Sequence, residues 1–348
     1  MSCSFNAGSG HQSVTTPLVN NVVSAGRDAA VGKLLANQIV TQFSAAKITC
    51  DGGGGTRNVV LDAQMLNNGL TLSSWQPTGA GAGHVYQTNV PGVGVAFVSD
   101  LTPSQYWPET FSKIENANPI TIDNKTGIMQ AMLFKIGDIG TGTLDTSNWP
   151  SFSLVQGGLR IWSFKFAGSM RFVSQTCTTP NQLVRLGDRP LADFNGPGTG
   201  SPLVDFAIEF QNCPKFSGSS TRITQYYTLT YGSPPPLSSV VNTQTDPNTM
   251  RFRLTPTAAN IASPGILKLT APPVGTNGAS GVGIEIRSRG AAVPIAFNTW
   301  LPGLSLQDNP ANSSYSIPLS ARYVQLSGAS LVTPGQANGT VEFVIEYI

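Results

Sequence analysis

The sequence predicts an all-β protein built as two Greek-key β-sandwich domains, residues 1–168 and 169–348. Apolar and polar residues alternate with period two along most of the chain, and 37 glycines and 25 prolines punctuate the alternation. Four cysteines fall two to each half, Cys3 and Cys50 in the first and Cys177 and Cys213 in the second. A chain of 348 residues is too long for one ordinary sandwich and suits two, each with a core of its own.

From the N-terminus, the one stretch with a hint of helical period is 29–39, weakened by Gly32 and Asn37. Strand signals then fall at 95–98, 159–166, 204–210, 251–254, 283–286, 316–324 and 340–347, with Gly- and Pro-rich turns between them. The halves share an order of features. Each holds its cysteine pair and later a glycine-valine-glycine lead into a strand, Gly92-Val93-Gly94 and Gly281-Val282-Gly283. The boundary is placed near Gly168.

Charged residues make up 11% of the chain and the formal net charge is +2, so no basic field exists to hold nucleic acid or anionic lipid. Four cysteines allow three connectivities; pairing within each half is the one that leaves each domain an independent unit, and it points to an oxidising compartment. No apolar run approaches the roughly 18–20 residues that span a bilayer, so no membrane insertion is expected. No signal peptide is visible, and Met1 before Ser2 and Cys3 reads as an initiator ahead of a mature, exported N-terminus.

No catalytic group, metal or cofactor is expected. His11 and His84 sit in Gly-rich surroundings without a carboxylate nearby in sequence, there is no Gly-x-Ser-x-Gly elbow, and bridged cysteines offer no thiolate. Asp51 before Gly52–Gly55 lacks the Lys-Ser/Thr of a phosphate loop, and residues 121–125 hold one carboxylate, too few for a calcium loop. Binding is the better expectation. Aromatic faces beside amides and carboxylates suit a glycan or an extended matrix peptide, and the first half offers Trp75, Tyr86, Tyr106 and Trp107 with Asp123 and Asn124. Tyr106-Trp107 is the first choice, because consecutive residues of an extended segment cannot both point inward, and Trp107 is expected to face the ligand.

Several segments, taken in order, resemble the pilins and two-domain tip adhesins of chaperone-usher fimbriae. In the second half these are Cys177 with Val184-Arg185-Leu186-Gly187, Phe206-Ala207-Ile208-Glu209-Phe210 running into Cys213, Gly281-Val282-Gly283-Ile284 with Val293-Pro294-Ile295-Ala296-Phe297, Ile317-Pro318-Leu319-Ser320-Ala321-Arg322-Tyr323, and the terminal strand at 341–347. The first half resembles their receptor-binding domains, nearest the type 3 fimbrial adhesin, through Arg27-Asp28-Ala29-Ala30-Val31-Gly32, Ile48-Thr49-Cys50-Asp51-Gly52 and Val90-Pro91-Gly92-Val93-Gly94-Val95. Segments 56–87 and 101–149 depart from it, so no ligand carries over.

The resemblance implies immunoglobulin-like sandwiches, the C-terminal one a pilin sandwich lacking its last strand. Val341, Phe343, Ile345 and Tyr347 would then line a groove filled first by a periplasmic pilus chaperone and later by a donor strand of the next pilus subunit, with an outer-membrane usher directing assembly. Only two residues precede Cys3, so no N-terminal arm is expected, which implies an extracellular position at the fimbrial tip, facing a host glycan or extracellular-matrix protein. The alternatives are an adaptor or shaft subunit, or a secreted glycan-active enzyme.

Overall fold

A computed structural model describes residues 2–19, 22–42, 46–51, 59–100, 105–108, 120–124, 127–174, 176–227, 242–256, 261–306, 310–311, 313–329 and 331–348. The fold is all-β and forms two compact units, Met1–Gln175 with Ser217–Asn248, and Thr176–Phe216 with Thr249–Ile348.

The first unit begins with β1 (Ser2–Phe5), β2 (Gln12–Pro17), β3 (Val22–Ser24), β4 (Leu34–Gln42), β5 (Ala46–Asp51) and β6 (Leu61–Leu66). It continues with β7 (Tyr86–Gln87), β8 (Val93–Ser99), β9 (Ile120–Asn124) and β10 (Gly127–Lys135). Four more strands follow, β11 (Gly142–Asp145), β12 (Ser151–Gln156), β13 (Leu159–Ala167) and β14 (Ser169–Val173). The strand orders are β1-β5-β9, β2-β13-β12-β6 and β11-β14-β3, beside a larger sheet containing β4-β10-β8-β7. Its core is aromatic. Phe97 lies 5.2 Å from Trp149 and 5.0 Å from Phe152, and Phe164 meets Phe166 at 4.9 Å, spacings at which ring edges and faces attract beyond their burial. Beneath β1 and β5, Ile48, Val59 and Ile161 pack around the Cys3–Cys50 disulfide.

Residues 29–39 are not helical. Gly32 has φ +94°, and Leu34–Gln42 is a strand with a neighbour on each side, so the apolar run Leu34-Leu35-Ala36 loses the two-fold alternation of a half-exposed strand. The domain break expected at Gly168 is also corrected. Gly168, at φ +97°, is the turn between β13 and β14, and β14 pairs with both β11 and β3, so the first unit runs on to residue 175.

After β15 (Val204–Cys213) the chain re-enters the first unit as β16 (Ser219–Tyr227) and β17 (Asn242–Asp246), completing the sheet in the order β17-β16-β4-β10-β8-β7. The second unit is therefore not the contiguous block 169–348.

The second unit is completed by β18 (Asn248–Thr255), β19 (Ile261–Ser263), β20 (Ile266–Lys268), β21 (Val282–Ser288), β22 (Leu301–Leu306), β23 (Ser313–Gln325) and β24 (Glu342–Tyr347). Two sheets, β15-β23-β21-β20-β19 and β22-β18-β24, enclose Ile208, Phe210, Phe252, Leu254, Ile286 and Leu319, beside the Cys177–Cys213 disulfide. Both disulfides pair as expected within each half.

Buried Glu285 on β21 sits opposite Arg322 of β23 in register and is bridged by Arg287 and Arg322. Burial alone pushes its carboxyl up, but the hydrogen bonds and positive charges of Arg287 and Arg322 together outweigh this and hold it below the usual glutamate range. A depressed carboxylate contributes stability above its unfolded value, about 4.3, and loses that contribution as pH falls through the folded value. The second unit's melting temperature should therefore drop as acid is added below about pH 4.3, with a shallower drop in Glu285→Gln. Equal acid sensitivity in both proteins by calorimetry would remove Glu285 from the account.

Candidate functional site

In the second unit a groove runs between residues 179–191 and residues 332–343, apolar over Phe206, Ile284 and Leu319 and more polar toward Arg185, Asp188 and Arg189. It consists of two cavities of about 670 and 830 Å³ that share Leu183, Val184, Leu186, Ile284, Gly339 and Thr340 as lining. Phe206 and Ile208 of β15, Ile284 and Ile286 of β21, and Leu319 and Ala321 of β23 form its floor. Alternation puts them there, since each pair is spaced two apart on one face of its strand.

Both walls carry unpaired backbone. β24 ends its sheet with β18 as its one strand partner, and among the described residues no strand lies along its other edge. On the opposite wall, Thr178 pairs with Gln211, but among the described residues no backbone N–H from 179 to 189 donates to a backbone carbonyl. Leu183 is 80% exposed on this rim, and Leu191 and Leu331 also lie open. Gly339 sits directly on the floor, where a Cβ would come 2.8 Å from Leu267 Cδ2.

Of the four groove residues read from the sequence, Val341 and Phe343 line this groove. Ile345 and Tyr347 share their strand face but lie deeper. Ile345 stands opposite Phe252, and buried Tyr347 accepts a hydrogen bond from the Cys177 amide at its hydroxyl and stacks on Phe216. Tyr347 belongs to the core and Ile345 packs against it, toward the disulfide end of β24, while the groove opens at the strand's start. Sequence reasoning missed the facing wall, whose signal was Leu183, Val184, Leu186 and Leu191, spaced without a period among polar residues and prolines.

In the first unit the aromatic candidates separate. Trp107 is 0% exposed, packed edge-on to Phe152 at 5.1 Å, so its expected place on the ligand face is wrong. Residues 105–107 run antiparallel to β8: Ser99 N–H donates to Gln105 O, Val98 bridges Tyr106, and Trp107 N–H donates to Phe97 O. Parity then sends Trp107 inward with Phe97 and Tyr106 outward. Tyr86 is buried too, opposite Val95, and burial pushes its phenol pKa up. Trp149 is likewise core.

Trp75 and Tyr106 remain half-exposed. The Trp75 ring lies over Gly32, where a Cβ would approach to 2.8 Å, with Phe134 at 5.8 Å. Gln76 pins the following loop by donating to Ser73 O and Val85 O and accepting from the Gly83 and Val85 amides. Tyr106 meets the His84 ring at 5.7 Å, and His84 Nδ1 donates to Trp107 O. Asp123 and Asn124 fall on β9 beside β5, in a different sheet from Tyr86, and their side chains lie outside the described residues. Among the described residues no three His, Cys, Asp or Glu side chains converge as a metal site would require.

The fimbrial protein profile matches residues 164–348, just over half the chain. No curated protein matches it significantly. Among solved structures, the receptor binding domain of the adhesin MrkD1P of Klebsiella pneumoniae is 22% identical, with 51% of this chain and 98% of that one covered and a TM-score of 0.36. The CupB6 tip adhesin of Pseudomonas aeruginosa is 16% identical over 99% of this chain and 92% of that one, with a TM-score of 0.36. The P pilus rod subunit PapA is 16% identical over 50% of this chain and all of that one (100%), with a TM-score of 0.32.

Proposed function

The chain belongs to the fimbrial protein family, and from that premise we propose that it is a two-domain tip adhesin of an extracellular pilus. The second unit anchors it and the first unit binds a surface ligand. The observation that carries the anchoring half is the apolar groove walled by two backbones with unfilled hydrogen-bond positions, at 179–189 and along β24. An added strand there would pair with both walls while its alternate side chains covered Phe206, Ile284 and Leu319, which is recognition by strand addition. A periplasmic chaperone would fill the groove first and the next subunit's strand afterwards, with an usher directing the exchange.

The first unit, through residue 163, lies outside the matched family region and supplies the receptor-binding half. The half-exposed rings of Trp75 and Tyr106, each set against a fixed loop, are the surviving aromatic candidates for a glycan or a matrix protein. The role is adhesive and not catalytic.

Two measurements test this reading. Immunogold against the first unit should label pilus tips; label spaced along the shaft would support the adaptor reading instead. On glycan and matrix-protein arrays the full chain should bind, and Tyr106→Ala should weaken retention about tenfold with an unchanged melting temperature, as for a lost contact of roughly 1.4 kcal/mol. Undiminished binding would remove Tyr106 from the site.

A further inference from the structure

The return of residues 217–248 to the first unit has the features of a built-in complementing strand. β16 lies parallel to β4 from Ser220 opposite Ala36 to Tyr227 opposite Gln42, so without it β4 would be an open edge. Ile223 is 0% exposed and belongs to the aromatic core of the first unit. Gln225 receives a 2.7 Å hydrogen bond from Gln38 Nε2, which also donates to Pro17 O, while Gln38 Oε1 accepts from the Val19 amide. Removing β16 would leave a buried amide short of a partner as well as a cavity.

Both ends of the segment are clasped at one residue. Ser24 Oγ donates to Asn248 Oδ1 at 2.7 Å and accepts from the amides of Ser217 and Gly218; Ser24 N–H donates to Gly218 O, and Asn248 Nδ2 donates back to Ser24 O. Ser24 and Asn248 are buried, so these bonds are shielded from water. Gly218, at φ +72°, fits the clasp because a Cβ there would come 2.2 Å from Asp246 O.

We infer that β16 (Ser219–Tyr227) is an internal donor strand for the first unit, so that this unit reaches its native state only with sequence from the second half. The two units are then coupled in folding, against the modular expectation that a receptor-binding domain ends where its own sequence ends. The inference stands whether or not the chain is an adhesin.

Hydrogen exchange on the full chain tests it. Ile223→Asp should cut protection of peptide 34–42 by about tenfold or more while peptide 204–213 of the second unit stays protected, and Ile223→Val should preserve both. Unchanged protection of 34–42 in Ile223→Asp would overturn the inference. If Ile223→Asp strips protection from both peptides, the wild-type sequence decides. With a protease site inserted between residues 175 and 176 and cut after folding, fragment 1–175 should stay with 176–348. It should leave only at the denaturant concentration where fluorescence from Trp75, Trp107, Trp149 and Trp162, four of the five tryptophans, changes. Separation in native buffer, or ahead of that transition, would overturn the inference.

Discussion

Trp107→Ala lowers the stability of the first unit by about 3–5 kcal/mol, the range for deleting a large buried aromatic side chain. The magnitude follows from complete burial, the edge-on contact with Phe152 and a place beside Phe97 at the centre of the core. A close-packed interior relaxes only partly around so large a cavity, so most of that cost should remain. Trp107→Phe should cost much less, because it keeps a ring there and removes an indole Nε1 that has no hydrogen-bond partner among the described residues. Calorimetry of the full chain measures both. A first-unit transition left in place by Trp107→Ala would mean that the ring is not core, and would return it to the list of ligand contacts.

The second large effect concerns the groove. A synthetic peptide of alternating apolar residues should raise the second unit's melting temperature in the full chain, by an amount equivalent to about 2.7 kcal/mol when the peptide is present at a hundred times its dissociation constant. Phe343→Glu should abolish the rise, since it places a charge on the apolar lining where the incoming side chains must settle. Glu342→Gln, at an exposed position, should leave the rise intact. Retained Cys177–Cys213 pairing and an unchanged far-ultraviolet spectrum would show that Phe343→Glu had folded. A full chain indifferent to every such peptide would mean that the groove accepts no strand, and the anchoring half of the proposal would fall.

Where alternation met one buried and one exposed face, the sequence was readable: β13, β15 and β23 enclose the stretches expected to be strands, and β24 covers all but the first two residues of the expected 340–347. β4 was ambiguous because, between β10 and β16, it is covered on both edges and much of both faces, and such strands lose their period. At Tyr106-Trp107 one residue does point inward, and it is Trp107 and not Tyr106. The choice between them lay in the pairing with β8, which no local pattern encodes. Least legible was the 217–248 excursion. Its buried residues include the polar Ser219, Ser220, Thr224 and Gln225, which carry no apolar alternation, and Gln225 is satisfied inside by Gln38, 187 positions away. At the candidate site, β24 supplied one wall from its alternation, whereas the irregular wall at 179–191 has no period to detect.

The parallel pairings of the first unit also bear on time. β2 lies beside β13, with Gln12 opposite Trp162, and β3 lies beside β14, with Val22 opposite Arg171. These N-terminal strands find their partners only after some 150 further residues have emerged, so the unit closes through contacts of high sequence separation and belongs with slowly folding, high-contact-order topologies. Through that interval the nascent chain presents unpaired strand edges to its neighbours, and the premium falls on whatever shields them from association while synthesis and export are completed.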